Sequence, residues 1–441
     1  MSKVNIIGAG LAGCEAAYQL AKRNIKVNLY DCKPNLKTPA HKSDDLCELI
    51  CSNSFKADRI SSAAGLLKEE MRILDSLLLK IADECRVPAG GALAVDRQLF
   101  SRKVTEYIKN LDNITYISKE VESFDDDEIT IISSGPLTLD KLSSFIQNKY
   151  GPCLSFFDAV APIVDFESID MNNAFYQSRY DRGDKEDYIN CPLNKEEYEL
   201  FYNELISAER APVHDFDVMN PKVYEGCMPV EVMAQRGIDT LRFGPMKPVG
   251  LTDPKTNHRP WACLQLRKEN VNASMFNLVG FQTNLKFPEQ QRVFSYIPAL
   301  KNAEYFRYGV MHRNTFLNSP KLLTEYFSVK SNRNIFFAGQ ITGVEGYMES
   351  AASGIISAIN VFSLIKNIKQ IKFPDTTIIG SFQRYISTEN INFQPMGANF
   401  GILPSLENRP RDKKLRGEEY AKRSLNDLNN YIKEKMYEHN C

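Results

Sequence analysis

Lys3-Val4-Asn5-Ile6-Ile7-Gly8-Ala9-Gly10-Leu11-Ala12-Gly13-Cys14-Glu15-Ala16-Ala17-Tyr18-Gln19-Leu20-Ala21 decides the fold. An apolar strand runs into a glycine loop, and the loop runs into a small-residue helix. In that order Gly8 permits the tight turn, Gly10 lets backbone approach a pyrophosphate, and Gly13 lets the helix pack on the strand. The helix start supplies unpaired N–H groups and the positive end of its dipole. A second strand, Ile25 to Tyr30, ends in Asp31, 18 residues beyond Gly13, where a carboxylate can take two ribose hydroxyls. The βαβ context turns a weak GxGxxG pattern into a dinucleotide cradle made by Gly8, Ala9, Gly10, Leu11, Ala12, Gly13 and Asp31.

Further along, the apolar residues Leu67, Met71, Leu74, Leu77, Leu78 and Ile81 recur at helical spacing and predict one core helix over 66–82. Ile129 to Pro136 reads as a buried strand ending in small residues. By analogy with two-domain flavoproteins, it precedes the exit to a second unit. The region 151–309 is aromatic and proline-punctuated, with alternation such as Val271 to Phe281 that predicts antiparallel strands. Asn334 to Gln340 returns to a buried strand. A glycine turn and small residues to Gly354 follow, then a helix expected over 355–365. That is a second nucleotide-contact signature, with Gly339 and Gln340 at its turn. No second GxGxxG occurs, so a nicotinamide donor is expected to visit transiently. The fold expected is α/β, a Rossmann-type dinucleotide-binding domain from 1–150 and 310–441 with a mixed α+β domain inserted at 151–309.

With 441 residues, 43% hydrophobic and 25% charged, the chain can bury a large core. No apolar run reaches the ~20 residues of a membrane span, and a strand beginning at residue 3 leaves no room for a presequence, so a cytoplasmic location is expected. Ten irregularly spaced cysteines read as thiols. The absence of CxxC and HExxH motifs argues against a metal site. A net charge of −1 does not advertise nucleic-acid binding. Two local basic clusters stand out, Arg236, Arg242, Lys247, Lys255, Arg259, Arg267 and Lys268 in the middle, and Arg409 to Arg423 near the end. The second leads into a basic helix expected over 418–437, either a surface helix or part of an RNA face.

Two cysteines lie in polar, turn-like sequence suited to a reactive thiolate: Cys51 in Glu48-Leu49-Ile50-Cys51-Ser52-Asn53-Ser54 and Cys227 in Tyr224-Glu225-Gly226-Cys227-Met228-Pro229. If Cys47 and Cys51 shared a helix they would face the same way at i, i+4, which leaves a dithiol redox reading open. The Cys47 neighbours are apolar, which suggests burial instead.

The glycine loop, the Glu48 to Ser54 block, Val87 to Arg97, Glu225 to Glu231, Gly309 to Phe316, Phe337 to Gly354 and Asn392 to Met396 together resemble the folate- and FAD-dependent tRNA (uracil-5-)-methyltransferases. The similarity runs from residue 3 to about 425. It implies FAD as cofactor, methylenetetrahydrofolate as one-carbon donor, NADH or NADPH as reductant, and 5-methyluridine, in the T-loop of tRNA or in ribosomal RNA, as product. It implies Cys227 as the thiolate that adds to the 6-carbon of uracil, Cys51 as the flavin-side thiol, and Tyr347 as the aromatic beside the flavin. It names no stable protein partner and no membrane. Departures from the family pattern are Asp31-Cys32-Lys33-Pro34 in place of a Glu-Met-Arg-Pro run, and Phe55-Lys56 in place of Leu-Arg, where an ammonium gives up bidentate phosphate contact. An FAD-linked thiol oxidoreductase using Cys47 and Cys51 is the alternative from another class. The related enzymes that modify the tRNA wobble uridine share the glycine loop, but are expected to be longer.

Overall fold

The computed structural model describes residues 3–38, 40–181, 184–211, 228–391 and 393–436. Its central sheet has six strands: β1 (Lys3–Ile7), β2 (Lys26–Asp31), β6 (Ile114–Ser118), β7 (Thr130–Ile132), β16 (Ser328–Val329) and β17 (Asn332–Phe337), in the order β16-β17-β7-β1-β2-β6. All neighbours pair in parallel except the edge strand β16. Register places Ile7 beside Tyr30 on one side and Ile132 on the other, with Ile132 beside Phe337. Four carboxyl ends thus lie at one level, where chains leaving β1 in opposite directions open a crevice.

Helix α1 (Leu11–Ala21) is buried along its whole length. It packs on a long helix, Tyr347–Lys366, so closely that a Cβ on Gly354 would stand 2.3 Å from the Ala12 carbonyl oxygen. That helix begins eight residues before the sequence expectation, because the small residues after Gly346 form its first turns and serve helix-to-helix contact rather than a loop. It is long and apolar enough to cross a membrane, but 89% of its apolar window is buried inside the molecule.

The single helix expected over 66–82 is two, α2 (Ala63–Ile73) and α3 (Leu77–Glu84). Asp75 sits in the left-handed region at φ 63° and breaks the run, and Ser76 caps α3 through the Leu79 N–H. The buried Glu15 carboxylate accepts from the Leu77 and Leu78 N–H groups and the Ser76 hydroxyl, so α1 itself fixes the start of α3.

Strands β3 (Ser54–Ala57), β4 (Arg86–Val87) and β5 (Ala92–Val95) form a small sheet ordered β3-β5-β4, and α4 (Arg97–Lys109) follows. After α5 (Asp140–Tyr150), β8 (Leu154–Ala159) pairs with β15 (Met311–Phe316) as a two-stranded ladder at the ends of the 163–307 region. Between them lies the expected antiparallel sheet, β10-β11-β12-β13-β9-β14: β9 (Ile163–Asp165), β10 (Phe175–Tyr176), β11 (Tyr188–Leu193), β12 (Ala262–Lys268), β13 (Met275–Leu278) and β14 (Tyr305–Arg307). With α6 (Lys195–Ser207), α7 (Val230–Ala234), α8 (Thr240–Phe243) and α9 (Phe287–Phe294) it has its own apolar core, drawn from residues 164–300. The other large core draws on 4–146 and 317–436. There α10 (Ser319–Leu322), α11 (Tyr347–Lys366) and α12 (Ile378–Ser387) complete the layers. The basic helix starts earlier than expected, as α13 (Lys413–Lys435), and its Ser424 hydroxyl bonds the buried Glu70 of α2.

Candidate active site at the strand ends

The loops leaving β1, β2, β7 and β17 line one cleft, which Gly10, Asp31, Gly135, Gly339, Cys51 and Tyr347 all reach. Gly8 turns at φ 103° and has no room for a side chain, since a Cβ would stand 2.6 Å from the Ser133 carbonyl oxygen. Gly10 is the reverse case: a Cβ there would meet nothing within 4 Å and would project into the cleft. That vacant volume beside a helix start with no side-chain cap is what a pyrophosphate cradle needs. Asp31 accepts from the Ala9 N–H at 2.8 Å through one oxygen and from the Lys33 N–H at 3.0 Å through the other. Oδ2, with that single donor, keeps a second lone pair for a ribose hydroxyl, whereas Oδ1 also takes the Cys32 thiol at 3.8 Å. Gly339 and Gln340, on the opposite rim, are joined by Ser350 in the first turn of α11. The residues present fit a dinucleotide.

Gly13 has the packing role expected of it. It does not line the cleft; its missing Cβ would stand 1.9 Å from the Gly8 carbonyl oxygen and 2.6 Å from Ser133 Oγ. Its work is helix-to-loop packing beneath the cradle.

At the far end lies the Cys51 segment, held by side chains rather than by regular structure. The Tyr347 hydroxyl accepts from the Cys51 N–H at 2.8 Å and the Ser52 N–H at 3.2 Å. Burial, and then the neighbouring Cys51, push the Tyr347 phenol upward, so it stays neutral and keeps its own proton to donate. Arg97 donates to the Leu49 and Ile50 carbonyls and pairs with buried Glu269 at 3.0 Å. Arg307 donates to the Ile50 and Cys51 carbonyls at 2.9 and 3.3 Å. Burial opposes the Arg97 charge, but Glu269 outweighs it and raises Arg97. Arg307 has no ion pair among the described residues, and burial followed by the charge of Arg97 push it down to about 10. A third buried cation, Lys68, donates to the Phe55, Ala57 and Ala64 carbonyls, and burial lowers it to about 8. The segment 49–57 around Cys51 is thus anchored by cations bonded to the carbonyl oxygens of Leu49, Ile50, Cys51, Phe55 and Ala57.

Cys47 and Cys51 do not share a helix. Cys47 is a buried turn residue at φ 51°, and burial first, then Cys14, push its thiol well above the ordinary range. The dithiol alternative thereby loses one of its two sulfurs. Lys56 is not a substitute phosphate contact either: its ammonium pairs with the buried Glu349 carboxylate at 2.7 Å. Arg267, assigned by the sequence to a basic surface cluster, is buried and donates to Asn53 Oδ1 and Ser52 Oγ, joining β12 to the Cys51 segment. Cys227, with Tyr224 to Gly226, Asn392 and Tyr437, lies outside the described residues. The chain resumes at Met228, and Val230 N–H donates to the Gln282 carbonyl at 2.7 Å. Glu269 and Arg307 were missed in the sequence. Their only signal is the unusual company they keep, Arg307 standing among the aromatic residues Tyr305, Phe306 and Tyr308.

Fold and cleft define a dinucleotide-binding protein of the doubly wound class with an inserted antiparallel unit. A sequence model of the family described as glucose inhibited division protein A matches residues 3–369. The methylenetetrahydrofolate–tRNA-(uracil-5-)-methyltransferase TrmFO of Acetivibrio thermocellus is 56% identical over 97% of this chain and 98% of its own length. The protein of the same description in Fusobacterium nucleatum is 54% identical over 98% and 99%. Aquifex aeolicus GidA, in its form II crystal, shares the fold with a TM-score of 0.68 at 15% identity, covering 98% of this chain and 76% of that one. The chain belongs to the glucose inhibited division protein A family and, within it, to the folate-dependent tRNA (uracil-5-)-methyltransferases, a family of enzymes.

Proposed function

We propose that this protein forms 5-methyluridine in the T-loop of tRNA, with methylenetetrahydrofolate as one-carbon donor, FAD as cofactor and NADH or NADPH as reductant. The observation that carries the proposal is the shared cleft: a glycine-built cradle at one end, and at the other a half-buried thiol, Cys51, held in place by Tyr347, Arg97 and Arg307. Gly8, Ala9, Gly10, Leu11, Ala12, Asp31, Gly339, Gln340 and Tyr347 would hold FAD. When bound, FAD supplies the electrons that convert a methylene into a methyl group.

The protein's own part is nucleophilic and protolytic. The 5-carbon of uracil is a weak nucleophile until a thiolate adds to the 6-carbon and gives an enolate; Cys227 is the residue proposed to add, and to leave when the 5-proton is removed. Cys51 is proposed to assist at the cofactor side, where Arg97 and Arg307 hold its segment by the Leu49, Ile50 and Cys51 carbonyls. The relatives matched carry tRNA in their descriptions, which favours tRNA over ribosomal RNA. We assign FAD to the unit formed by 1–150 and 310–441, the RNA to 151–309, and the enzyme to the cytoplasm.

The test is methyl transfer from labelled methylenetetrahydrofolate by the purified protein with FAD and NADPH, offering unmodified tRNA and large-subunit ribosomal RNA in parallel. Label in 5-methyluridine of tRNA is expected, and Cys227→Ala is expected to abolish product while FAD stays bound. NADPH consumption without label in either RNA would sink the methyltransferase reading, and full product from Cys227→Ala would sink the nucleophile assignment.

A further inference from the structure

The antiparallel unit carries a second concavity, an open cleft of about 860 Å³, and its chemistry differs from that of the cofactor cleft. Phe243, the last residue of α8, is 83% exposed at its rim, an unusual position for a phenylalanine. Beside it, Arg242 lies over the ring of Trp261 at 3.7 Å, fixed by Asp239 at 2.5 Å and by the Trp261 carbonyl at 3.0 Å. Lys247, Lys255 and Arg259 line the same cleft, all exposed and with no carboxylate partner among the described residues. Of the acids there, Glu197 is used in capping α6 and Asp253 accepts from the Lys255 N–H. The balance is cationic, in a protein whose net charge is −1.

The cleft is joined to the chemistry. Val160 lines the cofactor cleft, and its carbonyl accepts from the Thr283 N–H. The adjacent Gln282 carbonyl holds Val230, two residues after Met228, and Met228 and Phe243 line one shallow groove. On the other flank Trp261 leads directly into β12, whose Arg267 grips Ser52 and Asn53. Six residues of strand at about 3.3 Å each put the aromatic platform roughly 20 Å from the Cys51 segment. At a rise of about 3.4 Å per nucleotide, that is roughly six stacked nucleotides.

We infer that the Phe243–Trp261 cleft is an RNA-docking surface: Phe243 stacks on an unpaired base, and Lys247, Lys255 and Arg259 take the flanking phosphates, while the target base lies at the Cys51 end. An exposed aromatic face among unpaired cations is the combination that binds single-stranded nucleic acid without demanding a sequence. This rests on the RNA reading above and gives it a place on the molecule.

The experiment is fluorescence anisotropy of a labelled, unmodified tRNA transcript against the FAD-loaded full chain over a salt series, with NADPH oxidation in the absence of RNA as the control for folding. Phe243→Ala is expected to weaken binding about tenfold with an unchanged salt slope, and Phe243→Trp to restore it. The double variant Lys247→Ala, Arg259→Ala is expected to flatten the plot of log affinity against log salt by between about 1.4 and 1.8. Wild-type affinity and slope in both variants would overturn the inference and leave the cleft to a protein partner. So would a wild-type protein that binds no transcript. A parallel assay for 5-methyluridine separates the two readings: product from wild type with unaltered variants retires the docking surface alone, whereas weakened variants without product retire the reaction and keep the surface.

Discussion

The two ends of the cofactor cleft are built on opposite principles. At the cradle end the contacts are mostly backbone; apart from the Asp31 carboxylate, the side chains that matter are those missing at Gly8, Gly10 and Gly13. At the Cys51 end the backbone is irregular and everything that fixes it is a side chain: Tyr347 to two N–H groups, and Arg97, Arg307 and Lys68 to carbonyl oxygens. A backbone cradle binds the invariant part of a dinucleotide and needs only a tight turn and an open helix end. A segment presenting a thiol needs rigidity without a helix or sheet, and buried cations bonded to its carbonyls supply it at a desolvation cost. The cradle should therefore be broken by adding an atom and the thiol segment by removing a charge.

The largest effect is expected from Arg97→Met. It leaves the Glu269 carboxylate buried without its partner, and breaking a buried pair from one side costs about 3–5 kcal/mol. Denaturant unfolding of the FAD-loaded protein measures it; a loss below about 1 kcal/mol would mean that Glu269 reaches water or another donor. Next comes Gly13→Ala. One methyl group placed 1.9 Å from the Gly8 carbonyl forces α1 away from the loop, at a cost of up to about 3 kcal/mol, and should release FAD without touching it. Retained flavin absorbance after gel filtration would show that the loop can yield.

Lys68 gives the comparison a pH axis. Its ammonium is buried against carbonyl oxygens, and burial outweighs the pull of Asp58 and Glu349, so its folded value, about 8, lies below the 10.5 of the free side chain. Between those two values the unfolded chain binds more protons than the folded one, so stability rises with pH through that window. Below pH 8 the cost of the buried charge is fully present, on the order of 3 kcal/mol. The difference in unfolding free energy between wild type and Lys68→Met, followed from pH 7 to 10.5, should shift in favour of wild type as pH rises. A difference that stays flat would show that Lys68 is deprotonated throughout or reaches solvent.

The same contrast explains what could be read in advance. The cradle is legible because its residues are consecutive and its requirement, glycine at fixed spacing after an apolar strand, is local. Asp31 is legible because a βαβ unit has a nearly fixed length. The thiol segment draws on positions 49–57, 68, 97, 267–269, 307 and 347, which are scattered along almost 300 residues of chain. Charge misled where burial decided: Arg267 stood out as part of a basic cluster, and the fold turns it inward to Asn53 and Ser52. The helix break at Asp75 was hidden because apolar spacing continues across it, and the left-handed residue that interrupts it carries no sequence mark stronger than Asp before Ser.

Arg307 sharpens the comparison most finely, because its removal should be nearly silent in stability. It shares Glu269 with Arg97 rather than pairing with a carboxylate of its own, so Arg307→Met removes an expensive buried charge while leaving the Cys51 carbonyl without its donor. Those terms oppose each other and the net change is expected within about 1 kcal/mol. The thiol should respond nonetheless, since the Cys51 carbonyl loses the donor that holds the residue in place. Iodoacetamide labelling of Cys51, followed by peptide mass mapping at fixed pH, is expected to slow several-fold, with buried Cys47 inert in both proteins. A variant that unfolds as readily as Arg97→Met would make Arg307 a structural strut like its neighbour. A variant of unchanged stability and unchanged labelling would place the hold on the Cys51 segment on Arg97 and Tyr347.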